Sequence, residues 1–125
     1  MSVKSNKETA VEFLRLIGAG EIRKAYHKFV RPGFRHHNPW FAGDADSLMK
    51  AMEQNAASNP RKQLRILRVL EDGDLVAVHS HVRMEPQAPG AALVHIFRFE
   101  EGGVVELWDI GQPVPEHTPN EHGMF

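Results

Sequence analysis

The chain has 125 residues, 42% of them hydrophobic and 25% charged, which suffices for one hydrophobic core and is too short for two domains. Fifteen Lys and Arg against 16 Asp and Glu leave a net charge of −1, which argues against nucleic-acid or anionic-membrane partners, since both need a basic surplus. The lack of cysteine excludes disulfides, thiolate metal sites and cysteine nucleophiles, while eight histidines are the anomaly of the composition.

No apolar run of the signal-peptide kind follows the first residues, and no stretch approaches the roughly 18 apolar residues of a membrane span. The expectation is a soluble, cytoplasmic protein with no membrane partner. Ser5-x-x-Glu8 predicts a capping box at the start of a first helix. Ala10, Phe13, Leu14 and Ile17 then form one apolar face, and Gly18 and Gly20 stop the helix. Ile22, Ala25, Tyr26 and Phe29 repeat the spacing in a second helix, which Pro32-Gly33 is expected to end. The aromatic-rich segment Phe34–Phe41 reads as a brief strand and a loop. A third helix, capped by Asp44 or Asp46, presents Ala45, Leu48, Met49, Met52 and Ala56 and closes at Asn59-Pro60.

Beyond Pro60 the hydrophobic period changes to that of strands. Segments 63–70 and 75–84 are joined by the hairpin signal Asp72-Gly73, and 92–100 and 104–111 are joined around Glu101-Gly102-Gly103. Residues 113–125 carry prolines without periodicity and are expected to be extended. Helices followed by strands in a single domain over 1–125 predict an α+β fold, with three N-terminal helices on one face of an antiparallel sheet.

The last hairpin has a decidable register. A loop of Gly102-Gly103 would oppose Phe97 to Trp108. A three-residue loop, Glu101 to Gly103, pairs Phe99 with Val105, Phe97 with Leu107 and Arg98 with Glu106. The second keeps apolar residues together and matches opposite charges. It also sets His95 opposite Asp109 at the end of an apolar stripe. An Asp in that position would raise the imidazole pKa and fix its tautomer, or act as a general base, or the two would form a structural pair without chemistry.

Several motifs resemble one family. They are Phe34-Arg35-His36-His37-Asn38-Pro39, Ala77-Val78-His79-Ser80-His81-Val82, His95-Ile96-Phe97-Arg98-Phe99, and Glu106-Leu107-Trp108-Asp109-Ile110-Gly111-Gln112-Pro113. With the element order, they resemble the SnoaL-like polyketide cyclases and predicted aldol-condensation enzymes of the nuclear-transport-factor-2-like superfamily. The resemblance implies a cone-shaped, cystatin-like α+β fold. It also implies a pocket Asp as acid/base, with neither metal, Schiff base nor cofactor. Asp109 stands where that Asp falls, and His95 where its strand-borne neighbour falls.

Three readings of the site follow. In the first, Asp109 and His95 perform acid/base chemistry (aldol cyclisation, isomerisation or dehydration) on a small carbonyl-containing molecule. His37, Tyr26, Trp40, Phe97 and His79 are then candidate substrate contacts. Tyr26 also fits an ordinary core position, and Trp40 and Phe41 fit either core or pocket wall. In the second, the domain is a non-catalytic holder of a small molecule, or a dimerisation module. In the third, His79 and His81, with His36 or His37 and a carboxylate, bind a metal, although no recognised ligand spacing supports it. The outer sheet face, including Trp108, predicts a homodimer.

Overall fold

The computed structural model describes residues 4–125. Helix α1 (Asn6–Gly18) opens on the predicted capping box. The Glu8 amide donates to Ser5 Oγ at 3.0 Å, and the Ser5 amide donates to Glu8 Oε1 at 3.2 Å. Helix α2 (Ile22–Phe29) buries Ile22, Ala25, Tyr26 and Phe29, the face read from the sequence. Helix α3 (Ala45–Ser58) takes Asp44 as its cap, which accepts the Ser47 amide at 2.9 Å.

Strand β1 (Val30–His36) begins directly after α2, four residues earlier than the Phe34 start expected. Pro32-Gly33 therefore does not end the helix but lies inside the strand. This is allowed because β1 is an edge strand, where a missing N–H breaks no inner ladder. Gly33 has φ 82°, and the β1 register slips between Val30 and Arg35.

The remaining strands are β2 (Gln63–Asp72), β3 (Leu75–Arg83), β4 (Ala91–Glu100) and β5 (Gly103–Pro113). They form a five-stranded sheet of order β1-β5-β4-β3-β2, with β1 parallel to β5 and the other pairs antiparallel. The sheet is curved and unclosed, and the three helices pack on one of its faces. The fold is α+β.

Both hairpin turns differ in detail from expectation. The β2–β3 turn centres on Gly73-Asp74 rather than Asp72-Gly73, with Gly73 at φ 61°, the position a type II′ turn gives to glycine. In the β4–β5 hairpin, His95 faces Asp109, Phe97 faces Leu107 and Arg98 faces Glu106, as the charge and apolar matching required. The loop, however, has two residues, Glu101 and Gly102, at φ 49° and 77°. A bulge restores the register, so that Phe99 faces Val104 rather than Val105.

The core lies between the helices and the inner sheet face. Phe13 packs edge-on against Phe97 with ring centres 5.6 Å apart, and Tyr26 lies 5.4 Å from Phe13 and 6.4 Å from Phe34. Phe97 is fully sealed there, a packing worth about 3–5 kcal/mol by the usual cost of truncating such a side chain. Residues beyond Pro113 have no regular structure, yet they fold back rather than extend away. The Phe125 ring stacks on His81 at 4.1 Å, over the outer sheet face. No helix among the described residues is long and apolar enough to cross a membrane.

Candidate functional site

The helices do not cover the inner sheet face completely. A cavity of about 460 Å³ remains between α1, α3, the loop after β1 and strands β2–β5. Its walls are largely apolar, from Ile17, Met52, Leu64, Val82 and Leu93. A smaller void of about 30 Å³ lies deeper, against Phe13, Tyr26 and Leu107. Asp109 and His95 line both spaces. Their position follows from strand alternation: Leu107 and Asp109 point inward from β5, and Phe97 and His95 point inward from β4.

Asp109 is held by the loop after β1. Asn38 Nδ2 donates to Asp109 Oδ2 at 3.0 Å, while Asn38 Oδ1 accepts the Trp40 amide at 3.0 Å. The Asn38 amide donates to His36 Nδ1 at 3.1 Å, and His36 Nε2 lies 2.6 Å from the Ala42 carbonyl. Those partners assign the His36 tautomer: Nδ1 accepts and Nε2–H donates. His36 is thereby a buried brace for the loop that carries Asn38. Asp109 Oδ1 makes no hydrogen bond among the described residues, which leaves an acceptor for a ligand.

His95 faces Asp109 across the ladder, but no side-chain hydrogen bond joins them. The expected rise in the imidazole pKa is reversed. Burial pushes it down to about 4, outweighing the opposing pull of Asp109, and Lys62 pushes in the same direction as burial. His95 is therefore a neutral imidazole at neutral pH, with a buried Nδ1 that has no hydrogen-bond partner among the described residues. The Tyr26 hydroxyl at the deep end is held strongly protonated, by burial first and by the Asp109 charge second. At the outer part of the cavity, Lys62 donates to Asn55 Oδ1 at 2.7 Å, and burial lowers its pKa.

The SnoaL-like domain family matches this sequence over residues 10–107. The chain belongs to the SnoaL-like domain family. The match ends two residues before Asp109, so the placement of that carboxylate comes from the hairpin geometry and not from the match. Solved structures agree on the fold. A nuclear-transport-factor-2-like protein of unknown function from Cytophaga hutchinsonii is 16% identical, with a TM-score of 0.72 over 90% of this chain and 96% of the other. An uncharacterised cystatin-fold protein from Novosphingobium aromaticivorans is 18% identical, with a TM-score of 0.73 over 86% and 99%. IdmH from Streptomyces antibioticus, provisionally assigned as a polyketide cyclase, is 19% identical, with a TM-score of 0.71 over 87% and 93%. At such identities the likeness is one of fold. A comparison with curated proteins finds no match.

Of the side chains singled out from the sequence, this SnoaL-like fold brings Asp109, His95 and Tyr26 together. Tyr26 is both a core residue and a wall of the deep void, so its two readings merge. Trp40 lines the mouth of the cavity and is 82% exposed. Three expected contacts fall elsewhere. Phe97 is inward-facing but sealed in the core, two residues too deep along β4 to reach the cavity. His37 points to the outer face, where Nε2 lies 2.6 Å from Glu106 and the ring stacks on Trp108 at 5.0 Å. His79 also points outward, 3.0 Å from Arg68, in a groove closed by Met124. Among the described residues, no three His, Asp or Glu side chains converge as metal ligands would. Asn38, Asn55 and Lys62 were not read as site residues from the sequence. Asn38 stood in a quoted motif, but nothing local to it reveals a partner 71 residues away.

Glu106 shows what the outer face does with a carboxylate. It accepts from His37, from Arg35 at 3.0 Å and from Arg98 at 2.9 Å, and these partners, His37 first, hold its carboxyl down at about 2. Only 7% of its side chain is exposed, because these three side chains cover it. Glu106 is saturated by its three partners, whereas Asp109 keeps one oxygen without a hydrogen bond among the described residues.

Proposed function

We propose that this SnoaL-like domain is an enzyme that performs cofactor-independent acid/base chemistry on a small carbonyl compound bound in the cavity. Asp109 takes a proton from the carbon beside the carbonyl, and the electron pair moves into the enolate. The neutral His95 imidazole and the Tyr26 hydroxyl serve as hydrogen-bond donors toward the developing oxyanion. The proton then returns at a different carbon, or the enolate carbon attacks a second carbonyl in an aldol closure. Asn38 keeps Asp109 oriented, and the apolar walls exclude water.

The observation that carries this reading is the contrast at Asp109: one oxygen held by Asn38, the other unpartnered, in a cavity whose walls are largely apolar. Proton abstraction of this kind needs no metal and no cofactor. The test is solvent-deuterium exchange at the α-carbon of beta-tetralone, a compact bicyclic ketone, followed by NMR with wild type and Asp109→Asn. Catalysed exchange that depends on Asp109 supports the proposal. Binding without exchange makes the cavity a ligand-holding site and sinks it.

The same proposal includes a homodimer through the outer sheet face and a cytoplasmic setting. Ile110 is 59% exposed there beside Val94, Ile96 and Trp108, an apolar strip that a second copy would cover.

A further inference from the structure

We infer that Lys62 anchors a carboxylate on the ligand, so that the cavity prefers keto acids to neutral ketones. The inference rests on the reading of the cavity as the ligand site and adds the ligand's charge.

Lys62 lies on the short connection between α3 and β2 and lines the same cavity as Asp109 and His95. An ammonium group has three N–H donors. One goes to Asn55 Oδ1 at 2.7 Å, and no carboxylate lies within 4.0 Å of Lys62 among the described residues. Arg23, Lys28, Lys50, Arg35 and Arg98 each have an acidic partner, and among the described cations without one Lys62 is the Lys or Arg that lines the cavity. A partly buried cation without a counter-ion is costly, and such a charge is retained where something supplies the missing anion. Asn55 also fixes the Nζ position, so the remaining donors are held in place before a ligand arrives.

Among the described residues Asp109 is the one carboxylate of the cavity lining, and it is not in contact with Lys62. His95, neutral, adds no competing charge. The lining therefore has a negative and a positive pole with apolar wall between them. A ligand with a ketone and a carboxylate satisfies both: its acidic carbon meets Asp109, and its carboxylate meets Lys62. The competing explanation is structural, because Lys62 follows the C-terminal end of α3, where a cation is favourable. That explanation predicts lost stability on substitution and no effect on ligand choice.

The test is calorimetric titration of the full chain at pH 7.5 with benzoylpropionate, a γ-keto acid, and with its methyl ester. The wild type is expected to bind the acid at least about tenfold more tightly than the ester, the size of a charge-assisted hydrogen bond. The preference should shrink with added salt. Lys62→Met should remove it and leave ester affinity unchanged, and Lys62→Arg should restore part of it. Equal wild-type affinities, binding of neither compound, or a preference that survives Lys62→Met overturns the inference. The acid–ester comparison needs no variant, so misfolding of Lys62→Met does not block the test. Because the readout is binding, a preference for the acid with no deuterium exchange would sink the catalytic proposal alone.

Discussion

Replacing His95 with leucine should abolish a specific part of the pH dependence of folding. Burial lowers the folded-state pKa of His95 from 6.5 to about 4. Between those values the unfolded chain binds a proton that the native state refuses, so native stability falls as pH drops from about 6.5 toward about 4. The contribution is fully present above the unfolded pKa and is spent once pH passes below the folded one. At pH 5 the two pKa values give a loss of about 2 kcal/mol relative to pH 7.5. His95→Leu removes the titration and also removes a buried Nδ1 without a partner. At pH 7.5 the variant should be close to wild type, because the lost packing shape and the relieved unsatisfied nitrogen oppose each other. At pH 5 it should exceed wild type by about 2 kcal/mol. Urea denaturation followed by tryptophan fluorescence at the two pH values reads the difference directly, since all other histidines are common to both proteins. Parallel loss of stability in wild type and variant would refute the reasoning, because it would mean that His95 is charged or solvated in the native state.

Other predictions concern the parts around the cavity. Asn38→Ala should lower catalysed deuterium exchange by at least about tenfold, the worth of a hydrogen bond to a charged group, with the far-ultraviolet circular dichroism unchanged. Glu101→Gly should stabilise the fold by about 1 kcal/mol in denaturant titration, because Glu101 sits at φ 49° in a turn that favours glycine or asparagine. Ile110→Glu should convert a particle of twice 14.1 kDa into one of 14.1 kDa in analytical ultracentrifugation, if the exposed strip on β4 and β5 is where two copies meet.

The helices were legible because each carries an apolar face within its own segment, and α1 and α3 carry side-chain caps as well. Ser5 and Glu8 lie three residues apart, and the Ala10–Ile17 and Ile22–Phe29 faces appear buried as read. The His95–Asp109 register was legible for a related reason: matching Arg98 to Glu106 and Phe97 to Leu107 leaves one alignment. The turn that produces the alignment was not, since Glu101 gives no sign of a positive φ and a bulge is invisible to period-two counting. Pro32-Gly33 misled because a helix stop and an edge-strand interruption use the same residues.

Side-chain direction was read correctly for Phe97, but alternation shows which face a residue takes, not how far the helices extend over it. Phe97 is under them and His95 is not. The expected sign of the His95 shift failed because facing positions were equated with contact. Without a hydrogen bond to Asp109, desolvation dominates. Asn38 and Lys62 depend on how one loop and one connection fold across the mouth of the cavity, and no local pattern encodes that.

The central claim is that Asp109 acts as the proton-transferring group, and the exchange experiment addresses it most directly. With beta-tetralone bound, wild-type protein should incorporate deuterium at the α-carbon well above the buffer rate, and Asp109→Asn should lower that rate by a factor of at least about 100. Equal exchange by both proteins, or none by either with the ketone bound, would contradict it.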